Sequence, residues 1–216
     1  MLDTELIPAQ DGSLSHLMIA LHGLGDSMEG YRWLPQEMRI PWLNYLLVNA
    51  PTPYYGGFSW YDFASTSAGA DIEVSRKLLF DLLDDQRARG FATERTVLFG
   101  FSQGCLMTIE AGLRYPHEFG GLVGVSGYAF EPEQAIRKLP PTAVRQRFLL
   151  THGTLDGLIP IGPVRSQISL LKSAGITIDW REFQKDHTIA GDEELAVIRE
   201  FVQAGKSSPV RSQTRS

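Results

Sequence analysis

Short runs rich in Val, Leu, Ile and Phe alternate along this chain with segments whose apolar residues recur every three to four positions. The runs are Leu17–Leu21, Tyr45–Val48, Thr96–Phe99, Gly121–Val125, Arg147–Thr151 and Ile176–Phe183, most of them hydrophobic without interruption. Such runs suit strands covered on both faces, as in a parallel sheet, because a strand with one wet face would alternate. Between them lie helix signals. Asp71 to Arg89 opens with Asp71 and Glu73, gathers Leu78, Leu79, Leu82 and Leu83 on one side, and stops at Gly90. Val164 to Ala174 spaces Val164, Ile168 and Leu171 for one face, with Pro163 near its start and Gly175 just past its end. Asp192 to Val202 begins with three acids and presents Leu195, Ile198 and Val202. Strand–helix alternation of this kind predicts an α/β fold, a mostly parallel sheet with helices on both faces, in a single domain over residues 1–205.

Composition narrows the function. A chain of 216 residues that is 43% hydrophobic can build a core without disulfides or metals. A net charge of −5 excludes a basic nucleic-acid binder, which needs clustered positive charge to neutralise phosphates. One cysteine, Cys105, excludes an intrachain disulfide and a multi-cysteine zinc site, and its expected role is interior packing. The first residues, Met1 to Pro8, carry acids where a secretory leader carries Lys or Arg. No window approaches the ~18 apolar residues of a membrane span. The expectation is a soluble, cytoplasmic protein with no stable membrane insertion; oligomeric state stays open. Residues 206–216 hold three basic residues, no acid and Val210 as the one apolar residue besides Pro209, so a disordered tail is expected there.

In open parallel sheets, ligands bind at the carboxyl ends of the strands, so the loops after Leu21, Phe99 and Thr151 matter most. After Thr96–Phe99 comes Gly100-Phe101-Ser102-Gln103-Gly104 and then an apolar helix from Cys105 to Tyr115, ended by Pro116. This is G-x-S-x-G between strand and helix. The sharp reversal forces Ser102 into a strained conformation with its hydroxyl exposed, and the two glycines let neighbouring backbone approach. The helix N-terminus aims free N–H groups at the place where an oxyanion would form.

A serine hydroxyl needs a base to take its proton and a carboxylate to fix the tautomer of that base. In this setting the chain order is Ser, Asp or Glu, then His. His16 and His22 precede the serine, His117 follows a helix end, and His152 comes before any suitable acid loop. His187 remains, between the last strand and the last helix. Asp156, in a turn closed by Pro160, meets order and placement together, whereas Asp179 lies within a strand and Asp186 adjoins the histidine. The loop His22-Gly23-Leu24-Gly25-Asp26 is placed to give one oxyanion donor, the Leu24 N–H, beside that of Gln103. A dinucleotide cradle is excluded, because the third glycine of G-x-G-x-x-G is replaced by Met28.

These motifs, with Ala50-Pro51, Ser59-Trp60-Tyr61-Asp62 and His152-Gly153 through Asp156 to Ile159-Pro160, resemble the carboxylesterase/phospholipase family, which includes bacterial carboxylesterases and acyl-protein thioesterases. The resemblance spans about residues 14–204. It implies a compact α/β-hydrolase without a large lid, acting on esters or thioesters of modest chain length. By position, Ser102 resembles the nucleophile, Asp156 the acid and His187 the base, with Leu24 and Gln103 as oxyanion donors and no metal or organic cofactor. Two positions depart from the pattern: Cys105 stands where a small residue is common, and Asp186 where glycine often precedes the histidine. The segment Ala50 to Ala64 reads as an aromatic loop, and Phe58, Trp60 and Leu158 are expected to surround the substrate. The leading expectation is a carboxylesterase for short- to medium-chain esters. Acyl-protein thioesterase or lysophospholipase activity is the alternative within the class, and a catalytically silent hydrolase-fold binding protein the alternative outside it.

Overall fold

Each of the six apolar runs is a strand in the computed structural model, which describes residues 1–206. In chain order the first half holds β1 (Thr4–Ile7), β2 (His16–Leu21), α1 (Leu34–Met38), β3 (Leu43–Val48), β4 (Thr52–Tyr54), β5 (Gly57–Ser59) and α2 (Ala68–Ala88). The second half holds β6 (Thr96–Phe101), α3 (Gln103–Arg114), β7 (Gly121–Val125), α4 (Pro132–Ile136), β8 (Arg147–Gly153), α5 (Ile161–Ser173), β9 (Thr177–Phe183) and α6 (Gly191–Lys206).

Seven strands form one sheet in the order β1-β3-β2-β6-β7-β8-β9. All neighbours run parallel except β1, which pairs antiparallel with β3 at the edge. Alternation along each strand divides the core in two. Leu17, Ile19 and Leu21 of β2 face α2, α3 and α5, through Leu79, Leu106, Ile109 and Ile168 among others. Met18 and Ala20 face the opposite side, with Leu34 and Met38 of α1 and Leu195, Ile198 and Val202 of α6. Because both faces are covered, the central strands are apolar throughout.

The strand order reverses between β2 and β6: β2 continues to β3 on one side, while β6 leads toward β9 on the other. Ligand crevices open at such a switch point, at the carboxyl ends of the strands. The loops after β2 and β6 therefore face one another there, with Leu21 registered against Gly100.

Three expectations need correction. The segment Ala50 to Ala64 contains an antiparallel hairpin, β4–β5, with Thr52 opposite Ser59; Pro53 inside β4 hides it, since proline is confined to strand edges. Helix α2 begins at Ala68 rather than Asp71, because Ala68, Gly69 and Ala70 add a turn without apolar periodicity. Lys206, grouped above with the tail, ends α6 and sets its Nζ 4.4 Å from the Trp42 ring centroid. The rest of the expected tail, 207–216, lies outside the described residues. Among the described residues no helix is long and apolar enough to cross a membrane.

Candidate active site

Ser102 joins β6 to α3 with φ 53° and ψ −113°, a region that side-chain-bearing residues rarely adopt and that stores about 1–3 kcal/mol. Main chain holds it there. Its N–H donates to Val125 O (2.9 Å), and its carbonyl accepts from Leu106 N–H (3.2 Å). The flanking glycines are sterically required. A Cβ on Gly100 would overlap Gly104 O, and one on Gly104 would overlap Leu21 O and come within 2.8 Å of His22 O.

The structure brings His187 and Asp156 to this serine. His187 Nε2 lies 2.9 Å from Ser102 Oγ, and His187 Nδ1 lies 2.8 Å from Asp156 Oδ2. Asp156 cannot donate when ionised, so Nδ1–H donates to the carboxylate and Nε2 is left to accept the serine proton. The other carboxylate oxygen, Oδ1, accepts from the N–H groups of Leu158 (3.0 Å) and Ile159 (2.8 Å). Burial pushes the Asp156 carboxyl up, but the Ile159 N–H, the His187 hydrogen bond and the nearby His187 and His152 rings outweigh it and hold it below its ordinary range. Phe101 packs on the imidazole, ring centroids 5.0 Å apart.

The loop after β2 is set by His22, which is fully buried. Its Nδ1 lies 2.6 Å from Gly23 O and its Nε2 accepts from Ala50 N–H at 3.0 Å, an arrangement that fixes a neutral ring with Nδ1 protonated. Burial is the main reason its pKa is lowered. Gly23 lies beside the serine: a Cβ there would come within 3.3 Å of Ser102 Cβ. Among the described residues, neither the Leu24 nor the Gln103 N–H is donated to a protein acceptor.

The expected substrate residues separate. Trp60 is buried, donates its Nε1–H to His22 O (3.0 Å), and lines a hollow of about 310 Å³ with Leu24, Tyr54, Tyr61, Phe63 and Val74. Phe58 belongs to β5, packs against the core and does not line that hollow. Leu158 is 77% exposed and contributes its N–H to Asp156 rather than its side chain to a pocket. A larger hollow, about 850 Å³, lies at the start of α2 among Arg76, Arg114 and Lys138, and none of the candidate site residues lines it.

Three features escape the sequence reading. The Gln103 side chain clamps the preceding aromatic segment: Oε1 accepts from Trp60 N–H (2.9 Å) and Ser59 Oγ (3.2 Å), and Nε2 donates to Tyr61 O (2.8 Å). His152, set aside above on chain order, is fully buried with Nε2 2.8 Å from Ile159 O and 3.4 Å from Asp156 Oδ2, so it braces the acid's turn. Lys185 and Glu194 form a buried ion pair beside His187. The alternation of charges in Lys185-Asp186-His187 gave no sign of it. Cys105 packs against Gly124 and Gly127, and burial pushes its thiol up to about 12. Among the described residues no three His, Cys, Asp or Glu side chains gather as a metal site.

A family model described as phospholipase/carboxylesterase matches residues 2–205. An acyl-protein thioesterase 1 from Schizosaccharomyces pombe is 29% identical over 207 residues, covering 89% of this chain and 92% of its own. The carboxylesterase SOBER1 from Arabidopsis thaliana is 27% identical over 200 residues, covering 85% and 87% respectively. The crystal structure of the esterase PE8 superposes with a TM-score of 0.83 at 29% identity, covering 94% of this chain and 98% of that one.

Proposed function

We propose that this chain, which belongs to the phospholipase/carboxylesterase family, hydrolyses short- to medium-chain carboxylic esters through an acyl intermediate on Ser102. Its fold is that of an α/β-hydrolase, and it is an ester or thioester hydrolase, as its relatives are. One observation carries the residue assignment: the unbroken hydrogen-bonded line from Ser102 Oγ through His187 to Asp156.

In the proposed cycle Ser102 Oγ attacks the carbonyl carbon while His187 Nε2 takes its proton. Asp156 stabilises the imidazolium through Nδ1–H. The Leu24 and Gln103 N–H groups hold the oxyanion of the tetrahedral intermediate, each such donor contributing about 2.7–4 kcal/mol. His187 then returns the proton to the leaving alcohol or thiol. Water, deprotonated by the same nitrogen, attacks the acyl-enzyme and releases the acid, restoring Ser102. The hollow lined by Leu24, Trp60 and Tyr61 supplies apolar surface next to one oxyanion donor, and a substrate chain laid there would gain roughly 25 cal/mol per Å² buried. A cytoplasmic place of action belongs to the same proposal.

Ser102→Ala tests it directly. Turnover of p-nitrophenyl butyrate should fall by about 10⁶-fold with an unchanged melting temperature. Retained turnover would remove Ser102 as nucleophile. The thioesterase reading shares every step and differs in the leaving group and acyl length. A panel of C4 to C16 esters and thioesters separates the two: a kcat/KM maximum on short esters supports the carboxylesterase assignment, and one on long-chain thioesters replaces it.

A further inference from the structure

Lys185 and Glu194 lie outside the proton path just described, yet they surround the residue that carries it. Lys185 Nζ lies 2.6 and 2.7 Å from the two Glu194 carboxylate oxygens and donates to Thr188 O at 2.8 Å. Glu194 Oε2 also accepts from Ala190 N–H at 2.6 Å. Both side chains are almost sealed from solvent, at 4% and 0% exposure. The pair thus ties positions 185, 188 and 190 to the first turn of α6, with His187 inside the closed loop.

The same loop is fastened to the turn that holds the acid. Leu155 N–H donates to Lys185 O (3.0 Å), and Lys185 O lies so close to Gly153 that a Cβ there would overlap it. Removing two ions from water costs several kcal/mol each, so a buried ion pair is a poor means of stabilising a fold; an apolar pair of similar volume does as well or better. Its directional bonds do something an apolar pair does not. They fix the height and tilt of one short backbone segment.

We propose that Lys185 and Glu194 are positioning residues for His187: a buried strap that holds the 185–190 loop so that both imidazole nitrogens stay within hydrogen-bond reach of Ser102 and Asp156. The proposal rests on His187 being the base. A displacement of about 1 Å at a reacting group lowers rate by as much as about 10²-fold, which sets the size of the expected effect.

The test is the double variant Lys185→Met/Glu194→Met, which removes both charges together and leaves no ion unpaired in the interior. The variant should still fold, with a melting temperature lowered by only the few degrees that leaving Thr188 O and Ala190 N–H without their side-chain partners costs. Its kcat on p-nitrophenyl butyrate should fall by about 10²-fold while KM moves less than about twofold, with labelling of Ser102 by a fluorophosphonate slowed in parallel. A folded double variant with wild-type kcat overturns the proposal. Should that variant not fold, Glu194→Asp decides, because it keeps the charge and shortens the reach: a kcat lowered about tenfold or more at an unchanged KM supports the strap, and an unchanged kcat overturns it. His187→Ala is measured alongside. Inactive His187→Ala with a fully active double variant removes the strap alone, whereas an active His187→Ala removes the base assignment and the strap with it.

Discussion

Ser102 and its two partners are held by different kinds of force. The serine stands on a strained residue between a strand and a helix, fixed by backbone contacts so close that Gly100 and Gly104 admit no side chain. His187 and Asp156 stand on loops, and polar side chains and N–H groups hold them: Leu158 and Ile159 on Asp156, Lys185 and Glu194 around His187. Steric fixation is inseparable from folding, because the strand and helix that strain Ser102 are also the centre of the core. Fixation by hydrogen bonds is separable, because loops can lose their order while the sheet stays intact. Damage to the first side should therefore appear as lost protein, and damage to the second as lost turnover.

Five substitutions or conditions test that contrast, in falling order of effect. Asp156→Asn should lower kcat about 10⁴-fold, since the amide presents its own N–H to the ring and favours the wrong tautomer, while the fold stays intact and the circular-dichroism melt falls only by the small stability the lost charge contributed. A matching collapse of the fold would contradict separability. Gly104→Ala forces a methyl into the Leu21 and His22 carbonyls and should cost about 3 kcal/mol or more in urea denaturation, or abolish soluble expression. Gln103→Ala keeps the backbone N–H but strands the buried Trp60 N–H, while Tyr61 O keeps the Ser59 hydroxyl, and should destabilise by about 2 kcal/mol. It should also raise KM more than it lowers kcat, because the segment it releases lines the hollow beside Leu24.

Acid provides the fourth test. The folded Asp156 carboxyl titrates below its ordinary range, so its contribution to stability is complete above the unfolded pKa of about 4 and is lost as pH falls through the folded value. Urea midpoints of the wild type should therefore drop more steeply than those of Asp156→Asn between about pH 5 and pH 2. Parallel curves would mean that the carboxylate gains nothing from its partners. Smallest is Leu158→Ser: an exposed side chain whose N–H does the bonding should change stability by less than about 0.5 kcal/mol and leave KM for a butyrate ester alone.

Much of this organisation is legible in one sequence, for definable reasons. The inner strands declare themselves because burial on two faces leaves no polar position in runs such as Leu17–Leu21. Ser102 is legible because its strain needs glycines at fixed spacing. Asp156 and His187 follow once chain order and loop placement are imposed. Edge elements are less visible: β1 is a half-exposed Thr4-Glu5-Leu6-Ile7 that pairs along one side only, and α1 and α4 span a single turn or so. Contacts made by side chains far apart in sequence leave no local mark at all. Gln103 grasps residues more than forty positions away, and Lys185 meets Glu194 across a turn whose closure depends on α6. Leu158 shows the converse error, in which apolar character suggested a lining residue where the backbone was the working part.

The state of Cys105 has a practical corollary. Its sulfur is wedged against two glycines and resists ionisation at neutral pH, so maleimides and other thiolate-seeking dyes have nothing native to modify. A cysteine engineered at an exposed position lining the hollow, such as Phe63, would be the sole reactive handle, with no need to mutate the natural one. Fluorophores or spin probes could then report on events at the mouth of the site in an otherwise unaltered protein.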